Sequence, residues 1–367
     1  MDARPSQLRK TSRIKDSNSP IRVMIVDDSL TVRTIFSRMV EDEGGMEIVG
    51  TFSNAERALV KLRDLDVDVI LLDLEMPGMG GLEALPKILT TAENAQVLVV
   101  SSLTQDGAEH TLSALSMGAA DTMLKPRPGG FDNIYRASLL EKIRALGTQD
   151  CETQPAASDT ARTSARTRAR SPKDPELVAV GASTGGIHAL NAMLRCLPPS
   201  FDLPIVVTQH LPGSFMPVFA RQLEVASARR SVVASQGSEL RRGEILIAPG
   251  DGHLSVVRKG ERLVVELSSN PASSGCMPSV DPMLSSIAET LGGHAIAVIL
   301  SGMGRDGVEG AGRLAEAGGS ILVQDAETSA VWGMPGSVAK AGLASAIEPP
   351  EKIAEMIVSL ARVPAWK

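Results

Sequence analysis

Short apolar runs alternate with amphipathic stretches along this chain of 367 residues, and the alternation breaks only once, across residues 148–175. From Ile21 to Gly147, segments 22–26, 47–52, 67–72, 96–100 and 121–124 have strand character. The third and fourth are almost wholly apolar, as parallel strands covered on both faces must be. Segments 31–41, 55–64, 81–90 and 107–117 carry helical spacing between them. A five-fold β/α alternation of this kind predicts a doubly wound parallel sheet.

Residues 148–175 are rich in Thr, Ser, Ala, Arg and Pro, and 161–173 carry Arg162, Arg166, Arg168, Arg170 and Lys173 without an acid. Such a segment buries too little surface to offset its ordering entropy, so it reads as a solvated tether. The alternation resumes with strands 177–180, 205–208, 244–248, 295–300 and 320–323, while 254–267 has the pattern of a hairpin. The expected fold class is therefore α/β: two doubly wound parallel-sheet domains, 21–147 and 176–367, joined by a flexible linker at 148–175. The second, Rossmann-like, carries a small antiparallel extension. Residues 1–20, with Arg4, Arg9, Lys10, Arg13 and Lys15 and no apolar core, read as a disordered basic arm rather than a secretory signal.

A net charge of −6 and only nine aromatic residues argue against a nucleic-acid partner. No apolar run reaches the ~18 residues of a membrane span, so no membrane insertion is expected. Cys151, Cys196 and Cys276 are odd in number and lack metal or redox spacing, which fits a reducing, cytoplasmic setting.

In the first half, Asp27, Asp28, Asp73 and Lys125 fall at the C-terminal ends of predicted strands, where a parallel sheet forms its crevice. Clustered carboxylates there suit Mg²⁺, and a lysine opposite them would neutralise a phosphoryl group carried on an aspartate. Each acid taken alone could cap the next helix, Asp28 above all. The set Val26-Asp27-Asp28-Ser29, Leu72-Asp73-Leu74-Glu75-Met76-Pro77, Ser101-Ser102 and Lys125-Pro126 resembles the two-component receiver domain. That resemblance implies Asp73 as phosphoacceptor and Mg²⁺ held by Asp27, Asp28, Asp73 and the Glu75 carbonyl. It further implies Ser101 (Ser102, should the register shift by one) as the hydroxyl that turns toward the phosphoryl group, and Lys125 as its counter-ion, with a cis bond to Pro126. Gly80 stands where many receivers have aspartate.

In the second half, the apolar run 177–180 ends in Gly181-Ala182-Ser183-Thr184-Gly185-Gly186 and continues at helical spacing. A serine on a sharp strand-to-helix turn is where a nucleophile belongs, yet phosphate and dinucleotide loops use the same strand, glycine turn and helix. Two further strand ends bear on this choice. Segment 204–209 leads into His210, and 299–307 delivers Asp306 in a glycine-rich loop. Serine, histidine and aspartate at one sheet edge are what an ester-cleaving triad requires. Among the other histidines, His188 would be carried away by its helix, His253 could line the site, His294 precedes a strand at the opposite edge, and His110 belongs to the first half.

These motifs, with Gln209-His210-Leu211-Pro212, Ile247-Ala248-Pro249-Gly250, His253, Pro278-Ser279-Val280-Asp281, Gly302-Met303-Gly304-Arg305-Asp306-Gly307, Gln324-Asp325 and Val331-Trp332-Gly333-Met334-Pro335, resemble the chemotaxis protein-glutamate methylesterase family. The resemblance spans about residues 21–362. It implies hydrolysis of glutamate methyl esters on methyl-accepting chemotaxis receptors with release of methanol, deamidation of selected receptor glutamines, and phosphorylation by a chemotaxis histidine kinase. The enzyme would act as a monomer, and ester hydrolysis itself would need no cofactor. Ser183 would be nucleophile, His210 general base and Asp306 orienting acid, with the Thr184 and Met303 N–H groups as oxyanion hole. Ser301 stands where that family has threonine, and Met277 where arginine is expected. A DNA-binding output would need a helix-turn-helix and a basic face, which the β/α pattern does not provide; a non-catalytic docking domain is the alternative reading.

Overall fold

The computed structural model describes residues 19–92, 94–101, 105–126, 130–148 and 174–362. Strands β1 (Ile21–Val26), β2 (Met46–Phe52), β3 (Val69–Asp73), β4 (Gln96–Ser101) and β5 (Asp121–Leu124) alternate with helices α1 (Leu30–Glu41), α2 (Ala55–Lys61), α3 (Gly81–Thr91), α4 (Gln105–Met117) and α5 (Asn133–Gly147). They form a parallel sheet of order β2-β1-β3-β4-β5, with its switch point between β1 and β3. All five residues of β3 are buried, which is why its sequence lacks polar alternation until Asp73 ends it. Ser29 caps α1 by accepting from the Val32 N–H, so Asp28 is not the cap and stays exposed.

The second sheet begins with β6 (Leu177–Ala182), α6 (Gly186–Arg195), β7 (Ile205–Gln209), α7 (Met216–Ser227), β8 (Ser231–Val233) and β9 (Ile245–Ile247). A hairpin of β10 (His253–Lys259) and β11 (Arg262–Ser268) and then α8 (Val280–Leu291) follow. The chain ends with β12 (Ala295–Ile299), α9 (Val308–Glu316), β13 (Ser320–Gln324), α10 (Gly333–Lys340), β14 (Ala346–Glu348) and α11 (Pro350–Leu360). Seven parallel strands lie in the order β14-β13-β12-β6-β7-β9-β8, and the hairpin is the expected antiparallel extension. The edge strands β8 and β14 are three residues each, too short to leave a periodic signal.

The two sheets share one buried apolar cluster. Leu112 and Leu115 of α4 belong to it together with Ile187 and Leu190 of α6 and Phe215 and Met216 near the start of α7. Burying each such side chain contributes roughly 1.5–3 kcal/mol, so this face of the first domain is held against the second by the same force that holds each core. The basic arm and most of the linker, including Arg162 to Lys173, lie outside the described residues. Among those described, no helix is long and apolar enough to cross a membrane.

Candidate active site

Three strands of the second sheet deliver the polar residues. β6 runs into Ser183, β7 into His210, and β12 into the loop that holds Ser301 through Asp306. Gly181 pairs with Ile299 and Ala182 with Gln209, so these ends are neighbours at the switch point between β6 and β12.

Backbone contacts fix the serine turn. The Ser183 N–H donates to the Ser301 carbonyl at 3.0 Å, and the Gln209 side-chain amide donates to the Ser183 carbonyl at 2.9 Å. A Cβ on Gly302 would stand 2.8 Å from the Ser183 Cβ, so only glycine permits this approach. Gly185 turns into α6 with φ +75°, a left-handed conformation that glycine adopts without strain. Among the described residues no protein acceptor takes the Thr184 or Met303 N–H. The Ser301 hydroxyl donates to the Thr184 carbonyl at 2.7 Å, a bond that needs the hydroxyl and not threonine's methyl group.

His210 Nε2 lies 2.8 Å from Asp306 Oδ2, which leaves Nδ1 as the nitrogen to receive a proton. Asp306 is held on every side. Its Oδ1 accepts from the Ser279 hydroxyl at 2.7 Å, and its Oδ2 accepts from the Val280 N–H at 2.7 Å. Burial by itself would push the Asp306 carboxyl up, but the donors from His210, Ser279 and Val280 outweigh it and hold the group well below the usual carboxylate range. An aspartate that stays ionised this firmly keeps its proton on the imidazole when charge develops there. No hydrogen bond joins the Ser183 hydroxyl to His210; catalytic contacts of this kind often form only around the bound substrate.

The other histidines are engaged elsewhere. His253 is buried, its Nδ1 accepts from the Ser279 N–H at 3.0 Å, and its Nε2 meets the Asn270 carbonyl at 2.8 Å; it braces Ser279 rather than facing Ser183. His188 contacts the Ser116 carbonyl of α4, and His294 contacts the Asp174 carbonyl. His110 is exposed on α4.

Three supporting residues carried no signal of their role in the sequence. Ser279 and Val280 are brought to Asp306 only by the fold. Gln324, the last residue of β13, accepts the Ser301 N–H at 2.7 Å and so steadies the loop beside Ser183.

The first sheet makes its own site. Asp27 follows β1, Asp73 ends β3, Ser101 ends β4 and Lys125 follows β5. Lys125 Nζ lies 2.9 Å from Asp27 and 2.6 Å from Asp73. Burial pushes the Asp73 carboxyl up to about 6; Lys125 pulls it back and Asp27 adds to the rise. One oxygen each from Asp27, Asp28 and Asp73 lies within 4.8 Å of the others, a hard-donor set that fits Mg²⁺ and would relieve this repulsion. The Glu75 N–H donates to Asp73 Oδ1 at 3.1 Å. The buried Ser101 hydroxyl has no hydrogen-bond partner among the described residues. Ser102 lies outside them. The cis bond expected before Pro126 is absent: the one cis peptide among the described residues is Met277–Pro278, and Lys125 reaches both carboxylates without it.

The two sites meet through the start of β5. Thr184 Oγ1 donates to Asp121 Oδ2 at 2.6 Å, and the Gly185 N–H donates to the Ala120 carbonyl at 2.6 Å. Arg221 of α7 pairs with Glu109 of α4 at 2.9 Å on the same seam.

Comparison with known proteins agrees with both halves. The model of the CheB methylesterase family matches residues 178–357, and that of the response regulator receiver domain matches 23–132. The chain is 42% identical to "protein-glutamate methylesterase/protein-glutamine glutaminase 2" of Caulobacter vibrioides, over 93% of this chain and 99% of that protein. It is 40% identical to the counterpart numbered 1 in Paramagnetospirillum magneticum, over 94% and 98%. In structure it is similar to the CheB methylesterase catalytic domain of Thermotoga maritima at 37% identity and a TM-score of 0.50, covering 51% of this chain and all of that one.

Proposed function

Since the chain belongs to the protein-glutamate methylesterase family, with a receiver domain ahead of its catalytic domain, we propose that Ser183, His210 and Asp306 carry its reaction. The protein is a phosphorylation-regulated chemotaxis methylesterase and glutaminase. The observation that carries the residue assignment is the 2.8 Å contact of His210 with a buried, fully hydrogen-bonded Asp306 at the Ser183 edge.

Ser183 Oγ attacks the γ-carbonyl carbon of a receptor glutamate methyl ester while His210 Nδ1 takes the hydroxyl proton. The carbonyl oxygen, now negative, accepts from the Thr184 and Met303 N–H groups; a donor of this kind is typically worth about 3 kcal/mol in the transition state. Collapse breaks the carbon–methoxy bond, and the imidazolium returns its proton to give methanol and an acyl-enzyme. Water, deprotonated by His210, then releases the glutamate carboxylate. A glutamine side chain follows the same steps with ammonia as leaving group.

In the receiver, Asp73 takes the phosphoryl group from a chemotaxis histidine kinase in the cytoplasm. Asp27, Asp28, Asp73 and the Glu75 carbonyl would hold Mg²⁺, which when bound offsets the charge of phosphoryl oxygens. Lys125 and the Ser101 hydroxyl, which has no partner among the described residues, face that group. In the unphosphorylated state the receiver lies against Thr184 and Gly185, and phosphorylation shifts the population away from this closed contact. Methanol release from methylated receptor membranes, with and without a small phosphodonor, tests the whole reading. Failure of a serine-directed phosphonate to modify Ser183 would remove the nucleophile. Unchanged stimulation in Asp73→Asn would remove the phosphoacceptor.

A further inference from the structure

Cys276 precedes the cis Met277–Pro278 step in the loop between β11 and α8, three residues before the serine that braces Asp306. One donor atom from each of His210, Cys276 and Asp306 lies within 4.8 Å of the other two. Asp306 is buried while His210 and Cys276 are half-buried, so the trio is anchored below and reachable from one side. Imidazole, thiolate and carboxylate are donors that Zn²⁺ accepts together, and three protein ligands leave its fourth tetrahedral position to water.

We propose that this edge is an inhibitory site for a thiophilic divalent cation, Zn²⁺ in the first instance, held by His210, Cys276 and Asp306. The receiver cluster offers carboxylates alone and suits a harder ion, so the two sites divide Zn²⁺ from Mg²⁺ by donor type. On binding, a zinc–sulfur bond forms and the thiol proton leaves to solvent. Nε2, the nitrogen beside Asp306, gives its lone pair to the metal as its proton passes to Nδ1. No lone pair then remains to accept the serine proton, and turnover stops. The inhibition rests on His210 acting as the base; the binding does not.

The test uses the full chain without added histidines and with Mg²⁺ present throughout. Co²⁺ serves as the spectroscopic probe, expected to give a thiolate-to-cobalt charge-transfer absorption that saturates at one per chain and is abolished by Zn²⁺. Cys276→Ala should lose that absorption while hydrolysing at the wild-type rate in zinc-free buffer. Zn²⁺ should suppress methanol release and phosphonate labelling of Ser183 reversibly on chelation, and Cys276→Ala should need at least about tenfold more Zn²⁺ for the same effect. Absence of the absorption, or its persistence in Cys276→Ala, overturns the site and leaves the reading of His210 untouched. A cobalt absorption dependent on Cys276 with undiminished hydrolysis overturns the inhibitory site and leaves the role of His210 as base untouched.

Discussion

The hydroxyl of Thr184, whose N–H is assigned to the oxyanion hole, donates a 2.6 Å hydrogen bond to the carboxylate of Asp121 in the receiver. Asp121 opens β5 and Lys125 follows its end, so one strand of four residues has the phosphoacceptor's counter-ion at one end and the grip on the catalytic turn at the other. At about 3.3 Å per residue the two lie roughly 13 Å apart. Only a short, stiff element separates the chemistry of Asp73 from the backbone of Thr184. Lys142 Nζ also pairs with Asp121, which holds the carboxylate in place from within the receiver.

Asp121→Ala should therefore raise the basal rate. A hydrogen bond to a charged group contributes about 1.5–3 kcal/mol, so its loss favours the open arrangement by up to about 10- to 100-fold in population. Methanol release without phosphodonor is expected to rise, and the ratio with to without phosphodonor to shrink. A basal rate equal to wild type would mean that this contact does not restrain the enzyme.

Ser279→Ala tests how Asp306 is positioned. Ser279 is fully buried; it donates to Asp306 and accepts from the Asp281 N–H at the start of α8. Its removal should cost about 1 kcal/mol in the cap and lower kcat by about tenfold through a looser carboxylate. Asp306→Asn should be worse, by about 10⁴-fold, as replacement of a triad aspartate by its amide typically is. If Ser279→Ala loses stability but keeps kcat, the serine is a cap and nothing more.

Both parallel sheets were legible because their strands are buried on both faces and their chemistry sits at strand ends. Ser183, His210 and Asp306 could be read together for that reason. Short edge strands such as Ser231–Val233 could not, since three residues hold no period. The partners of Asp306 were hidden for another reason: Ser279 lies 27 residues away in the chain, and its donor role exists only once the start of α8 is packed under the Asp306 loop. The hold of Asp121 on Thr184 joins residues 63 apart across two domains, and no local pattern announces it.

Asp281 gives the fold a pH dependence of definite sign. Burial pushes its carboxyl from 3.8 up to about 6; the Gly310 N–H pulls it back and ionised Asp306 adds to the rise. The folded state thus binds this proton more tightly than the unfolded chain does, so its contribution is fully present below about pH 4 and is lost as pH rises through about 6. Asp281→Asn keeps an acceptor for the Gly310 N–H and removes the titration. Its Tm relative to wild type should climb between about pH 4 and 7 and then level off. Parallel Tm curves across that window would show that Asp281 titrates as it does in the unfolded chain.

Gly302→Ala should disable the serine while leaving all three reactive residues unsubstituted. The new Cβ would meet Met334 Sδ at 2.5 Å and the Ser183 Cβ at 2.8 Å. Neither backbone yields readily, because the Gly302 N–H is bonded to the Val331 carbonyl and the Ser183 N–H to the Ser301 carbonyl. Relief must come from moving Met334 or Ser183, and a displacement of about 1 Å in a reacting group typically costs about 10²-fold in rate. The expected result is a kcat lower by about that factor, phosphonate labelling slowed in parallel, and a stability loss of about 1–3 kcal/mol from overpacking. Gly312→Ala is the control: its Cβ would touch only Leu343 at 3.8 Å, and the rate should not change. Equal rates for the two variants would show that the close approach of Gly302 to Ser183 has no part in holding the nucleophile.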